Sequence, residues 1–197
     1  LSAHGGGGVK LYNSQITIIN TIISANNCQY GNGDCGVKAE ESSPTLINTT
    51  VVFNTNGGIV SYGSESSSIV NILNSVIYGN GEDLTIYQNG SFSISHSLID
   101  GGYSGEGNID ADPLFCNPDS GDFTLSENSP CVGTGADTTN MGAFGVGCGP
   151  YNFPPSDFSL LTPENSDTVY INLSNQNDSL LFQWEESIDP DGDSIQY

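Results

Sequence analysis

The sequence predicts an all-β chain, a right-handed parallel β-helix (solenoid) followed by a truncated C-terminal β-sandwich segment. Three observations predict it. One nine-residue pattern recurs four times, amphipathic helix-forming series are nearly absent, and the composition shifts at a Pro-rich joint near the end.

The repeat is found by placing Ile18-Ile-Asn-Thr-Ile-Ile-Ser-Ala-Asn26 over Leu46-Ile-Asn-Thr-Thr-Val-Val-Phe-Asn54. Ile72-Leu-Asn-Ser-Val-Ile-Tyr-Gly-Asn80 and the more diverged Ile94-Ser-His-Ser-Leu-Ile-Asp-Gly-Gly102 follow, at steps of 28, 26 and 22 residues. One coil of a solenoid is of about that length. Each copy reads as an apolar strand, a polar corner and a second apolar strand. Asn20, Asn48 and Asn74 mark the corner, with His96 in the last copy, and side-chain amides stacked coil on coil would form a hydrogen-bonded structural ladder. Gly-Gly before a strand, at Gly7-Gly-Val9 and Gly57-Gly-Ile59, allows a further tight corner. Gly, Asn, Ser, Thr, Val and Ile dominate, which favours short strands over helices. The competing architecture, a β-sandwich, explains the hairpin-like Asn80-Gly and Asn89-Gly but not four copies of one pattern at similar spacing.

Composition bounds the partners. There are 23 acidic residues against 2 basic ones, Lys10 and Lys38, for a formal charge of −21, and no arginine. Such a field repels nucleic acid and anionic membrane surfaces and leaves cations, calcium above all, as natural partners. It also serves solubility alone. No apolar stretch approaches the ~20 residues of a membrane-spanning helix. The chain opens on Leu1 with no signal-peptide pattern, so the start reads as a cut through a longer protein. Cys28, Cys35, Cys116, Cys131 and Cys148 lack metal-motif spacing. Cys28 and Cys35 would close one short loop, and two of the other three would form a second bridge, with Cys116 and Cys148 the candidates. This usage suits an oxidising compartment.

From Asn74 onward, the segments Asp110-Ala-Asp-Pro-Leu-Phe, Gly121-Asp-Phe-Thr-Leu and Ser129-Pro-Cys, in that order, resemble the closing coils of bacterial right-handed β-helix proteins of the pectate-lyase-like superfamily. The resemblance covers about residues 5–149. It implies a secreted or cell-surface protein, and says little about activity because one fold hosts many functions. Gly149-Pro-Tyr-Asn-Phe-Pro-Pro155 is a joint of the kind that separates domains. The expected organisation is therefore coils over 1–149, a linker over 150–155, and a second module over 156–197. That last segment is similar to the start of fibronectin-type-III or immunoglobulin-like modules, with Trp184 as its core residue, and it ends about halfway through the ~100 residues of such a sandwich.

Candidate chemistry is sparse. Enzymes of the resembled fold cut acidic polysaccharides, and β-elimination needs a base and cations that neutralise the uronate. With no arginine that route has little to stand on. Hydrolysis needs paired carboxylates, and the densest group is Asp110, Asp112, Asp119 and Asp122. These read first as turn residues and second as calcium ligands, with Asp110 and Asp112 the metal candidates. Asp189-Pro-Asp191-Gly-Asp193 sets three carboxylates at alternate positions, as an inter-strand turn or a partial calcium loop. His4 and His96 form no catalytic motif, and neither a nucleophile elbow nor a phosphate loop is present. Aromatic rings stack on sugar faces, which makes Tyr62, Tyr78, Tyr87 and Tyr103, together with Tyr12, the candidate carbohydrate-binding residues. The function expected is a non-catalytic, monomeric module for adhesion, spacing or carbohydrate binding on a cell surface or outside the cell. The alternative is a glycoside hydrolase or polysaccharide lyase whose catalytic coils lie partly upstream. A tailspike-like fibre, which requires trimers, is a third reading.

Overall fold

A computed structural model describes residues 7–28, 36–157, 159–162 and 182–192. The chain divides into two compact units, Leu1–Tyr151 and Asn152–Tyr197.

The first unit is a parallel β-helix. Its first coil contains β1 (Val9–Tyr12), β2 (Thr17–Ile19) and β3 (Ile22–Ser24), and its second β4 (Val37–Glu40), β5 (Thr45–Ile47) and β6 (Thr50–Val52). In the third and fourth coils the first two strands run on continuously, as β7 (Ile59–Leu73) with β8 (Val76–Tyr78), and β9 (Leu84–Ser95) with β10 (Leu98–Ile99). Parallel pairing builds three faces: β1, β4, β7 and β9 on the first; β2, β5, β7 and β9 on the second; β3, β6, β8 and β10 on the third. The register is that of the sequence repeat, with Ile18 opposite Leu46, Leu46 opposite Ile72, and Ile72 opposite Ile94.

The corners turn on a residue in the left-handed region, except the first corner of the third coil, which is the longer loop after Gly63. Asn13, Glu41 and Gln88 hold the first corner, Asn20, Asn48, Asn74 and His96 the second, and Ala25, Phe53, Gly79 and Gly101 the third, with φ between 47° and 77°. Asn visits this region at low cost because its short amide bonds locally. At Gly79 a second constraint adds to φ, since an added Cβ would lie 2.7 Å from the Phe53 ring. Between corners, alternation sends Val37, Leu46, Val51, Ile59, Ile72 and Ile77 inward, where all are essentially inaccessible. A single coil cannot bury these side chains alone, so the apolar column exists only by stacking.

After the fourth coil the chain begins another turn, with Ile109 bridging Leu98, and then leaves the solenoid. β11 (Phe115–Asn117) pairs antiparallel with β12 (Asp122–Ser126), and β13 (Val146–Cys148) joins β12 in parallel. This small sheet supplies Phe115, Phe123 and Leu125 to a second core with the outward residues Val52, Val76 and Leu98 of the third face. It is therefore a lateral cover over that face. The Cys116–Cys148 disulfide ties its ends, while Cys131 is a buried free thiol. Cys28 is also disulfide-bonded, and Cys35 lies outside the described residues.

In the second unit, β14 (Leu160–Thr162) pairs antiparallel with β15 (Gln183–Trp184). Trp184, expected in a sandwich core, is instead 43% exposed. Among the described residues this unit has one two-stranded sheet, and an indole needs a second layer to be covered. Among the described residues no helix is long and apolar enough to cross a membrane.

Candidate functional site

The first face carries the chain's unusual surface. Outward positions of β1 and β4 stack in register, so Lys10 lies opposite Lys38, and Tyr12 opposite Glu40. The second row continues through Tyr62 to Tyr87. Both cations of a −21 chain and three tyrosines therefore share one face. Lys10 Nζ lies 3.5 Å from Glu40 Oε2, Lys38 Nζ lies 5.8 Å from the centre of the Tyr62 ring, and the Tyr62 and Tyr87 rings meet edge to face at 6.4 Å. Such exposed ion pairs and cation–π contacts are worth about 0–1 kcal/mol each. Their effect is to bias the side chains toward this arrangement. Tyr12 remains 66% exposed and Tyr87 36%.

The other two tyrosines expected to bind sugar stand elsewhere. Tyr78 is on the third face beside Phe53, against the lateral cover. Burial raises its phenol pKa, and the charges of Asp112, Asp100 and Asp83 raise it further. Tyr103 packs edge to face on Phe92 at 6.2 Å, at the far end of the coil stack. Side-chain identity gave no means of separating these positions; only their place within the coil does.

The Asn ladder at the second corner is short. Asn48 Nδ2 donates to Asn20 Oδ1 at 3.2 Å, but Asn48 Oδ1 is buried without a partner. Asn74 turns its Oδ1 away to accept the Ala136 N–H of the lateral cover at 2.7 Å, so the ladder expected there stops after two coils. His96 donates its backbone N–H to Glu106, leaves Nδ1 buried without a partner, and has its ring covered by Gly107. A longer amide ladder runs through the ninth position of the repeat. Asn26 donates to Asn54 Oδ1, and Asn54 to Asn80 Oδ1, each at 2.8 Å, and Asn80 ends the series on Asp83 Oδ1 at 2.6 Å. Three Asn at one repeat position were the available signal. Beside the second corner, hydroxyls do similar work: the N–H of Thr49 donates to Ser75 Oγ and that of Ser75 to Ser97 Oγ, both at 3.1 Å.

The acidic candidates are mostly occupied by nearby backbone. Asp110 Oδ1 accepts the Gly101 N–H at 3.1 Å, and Asp112 Oδ1 accepts the Leu114 N–H at 2.9 Å. Asp122 accepts both the N–H and the hydroxyl of Thr124, which hold its pKa below the ordinary value. In the second unit Asp189 Oδ1 accepts the Asp191 N–H at 2.9 Å, Asp191 Oδ2 accepts the Phe153 N–H at 2.6 Å, and Asp193 lies outside the described residues, as does His4. Among the described residues no three His, Cys, Asp or Glu side chains are grouped as metal ligands.

A different carboxylate pair lies near the end of the stack. Asp83 and Asp100 border a cavity of about 280 Å³, and burial raises the Asp83 pKa against the lowering effect of its bonds to Asn80. Neither residue was singled out in the sequence. Comparison with protein-family models, curated proteins and solved structures returns no match to this chain.

Proposed function

We propose that this chain is a non-catalytic β-helix module of the cell surface or the extracellular space that binds carbohydrate along its first face. The observation that supports this is the outward row Tyr12, Glu40, Tyr62 and Tyr87 beside Lys10 and Lys38. Successive coils are separated by the ~4.8 Å spacing of paired strands, so the row presents regularly spaced groups along the solenoid axis. Aromatic rings take the apolar faces of sugars, while the lysines and Glu40 offer donors and acceptors to hydroxyls. A rigid scaffold keeps these groups in place before binding, which limits the ordering cost.

The test is affinity electrophoresis of the intact chain through gels containing neutral or acidic polysaccharides, alongside an assay for released reducing ends and unsaturated products. Retardation by at least one glycan that is reduced in Tyr62→Ala and Tyr87→Ala, without product release, supports the reading. Product release by the chain replaces it with the polysaccharide-degrading alternative. Unchanged retardation of both variants removes the first face as the binding surface.

A further inference from the structure

Among the described strands, none continues the stack beyond the fourth coil at its first face. Beyond Gly102 the chain crosses toward the third face, where Ile109 bridges Leu98, and then enters the lateral cover. The first-face part of β9 pairs with β7 on one side, and among the described strands none pairs with its other edge. The inward position occupied by the buried Leu11, Ala39 and Ser61 in earlier coils is held here by Ile86, which reaches 49% exposure. With Leu84, Phe92 and Ile99 it forms the floor of the 280 Å³ cavity, walled by Tyr103 and rimmed by Glu82, Asp83 and Asp100.

We infer that this end of the solenoid binds an extended, basic segment of another protein, which adds as a strand beside Leu84–Gln88. Its alternate side chains would place an apolar group over Ile86 and a lysine or arginine among Glu82, Asp83 and Asp100. An open strand edge supplies main-chain hydrogen bonds to any extended peptide, and the pockets along it select side chains. Period-two alternation puts the selected side chains on one face of the incoming strand. The charge of the rim sets the sign of the partner. This chain's own cations, Lys10 and Lys38, are engaged on the first two coils with Glu40 and Tyr62. A second copy, carrying the same −21, is repelled at long range. The strand edge borders the tyrosine row at Tyr87 but uses the inward side chains rather than that ring, so the inference stands whether or not the row binds carbohydrate.

Fluorescence anisotropy on the intact chain tests it, with a labelled, end-capped octapeptide Lys-Thr-Val-Thr-Lys-Thr-Val-Thr as the valine–lysine probe, in which lysine and valine take turns along one face of the strand. Two controls accompany it: the same peptide N-methylated at alternate amides, which keeps the charge but blocks strand pairing, and a valine–glutamate peptide. Expected are saturable binding of the valine–lysine peptide, about tenfold or greater weakening in both controls, and weakening of similar direction in Glu82→Gln and Ile86→Lys. Glu82 and Ile86 are exposed, so both variants are compatible with folding, which circular dichroism verifies. Absence of binding, equal binding of the N-methylated peptide, or unchanged binding by both folded variants overturns the inference. Equal binding would mean that charge attraction acts without the strand edge.

Discussion

Asn54 Nδ2 donates to Asn80 Oδ1 at 2.8 Å, joining the second coil to the third through a side chain that has no solvent exposure. Asn54 also accepts from the backbone and side chain of Asn26 and donates to the Ile23 carbonyl. Replacing it with Ala strands one buried and several partly buried partners at once, and a buried polar group left unpaired costs about 1–3 kcal/mol. Asn54→Ala is therefore expected to lower the urea midpoint strongly. Asn48→Gly is the contrasting variant, because it removes one bond and an unpartnered oxygen while keeping the left-handed corner accessible, and its midpoint should move little. Equal losses in the two variants would show that the ninth-position ladder has no special weight.

The contrast also marks how far the sequence could be read. Register was legible because Ile18, Leu46, Ile72 and Ile94 recur with their neighbours, and stacking forces equivalent residues opposite one another. Which Asn carries the longer ladder was not legible, since both the third and ninth repeat positions are Asn and composition does not reveal which amide faces its counterpart. The lateral cover was hidden for another reason. Its contacts join residues 62 and 93 apart, Asn74 with Ala136 and Thr50 with Ala143, and no local pattern encodes such pairings. The tyrosine row was half legible. Tyr62 and Tyr87 stand opposite each other, but Tyr78 and Tyr103 have the same chemistry and different places in the coil.

Glu41 is expected to act as a latch for the loop that follows Gly63. Its carboxylate accepts the N–H groups of Ser64, Glu65 and Ser66 and the hydroxyls of both serines. These bonds, the Ser64 hydroxyl first, hold its pKa far below the ordinary carboxylate range. A lowered folded-state pKa gives stabilisation that is present above the unfolded pKa and is lost as pH falls through the folded value. Amide exchange, corrected for its intrinsic pH dependence, should show Ser64–Ser66 protected at neutral pH, with protection declining progressively once pH falls below the ordinary Glu pKa of about 4.3 and persisting in part below it. Glu41→Gln should raise their exchange at neutral pH with little effect on the core strands. Complete loss of protection at the ordinary Glu pKa, with none persisting below it, would contradict the latch.

Asp83 has the opposite sign. Burial is the largest cause of its raised pKa, so its contribution favours the folded state below the unfolded pKa and is lost as pH rises through the raised folded value. Asn at this position retains an oxygen to accept from Asn80 Nδ2 and carries no charge. Asp83→Asn should thus raise the thermal midpoint at neutral pH and lose that advantage in acid. A lowered midpoint at neutral pH would show that the ladder requires an anionic terminus.

The three cysteines of the lateral cover should behave as two chemical classes. Cys116–Cys148 closes a separation of 32 residues, and in the chain-entropy account a loop of this size contributes about 3–4 kcal/mol by restricting the unfolded state. The Cys116→Ser/Cys148→Ser variant should therefore unfold at lower urea, with the loss concentrated in β11 to β13 because the coil stack has its own core. Cys131 is fully buried, and burial pushes its thiol up to about 12, so the nucleophilic thiolate is scarce at ordinary pH. Alkylation at pH 8 is expected to be negligible in the native protein and rapid in urea. Because Cys131 belongs to the core shared by Phe115, Phe123 and Leu125, its labelling during a urea titration reports opening of the cover itself. If labelling precedes the loss of far-ultraviolet circular dichroism, the cover opens while the solenoid persists; simultaneous change would mean that the two cores unfold as one.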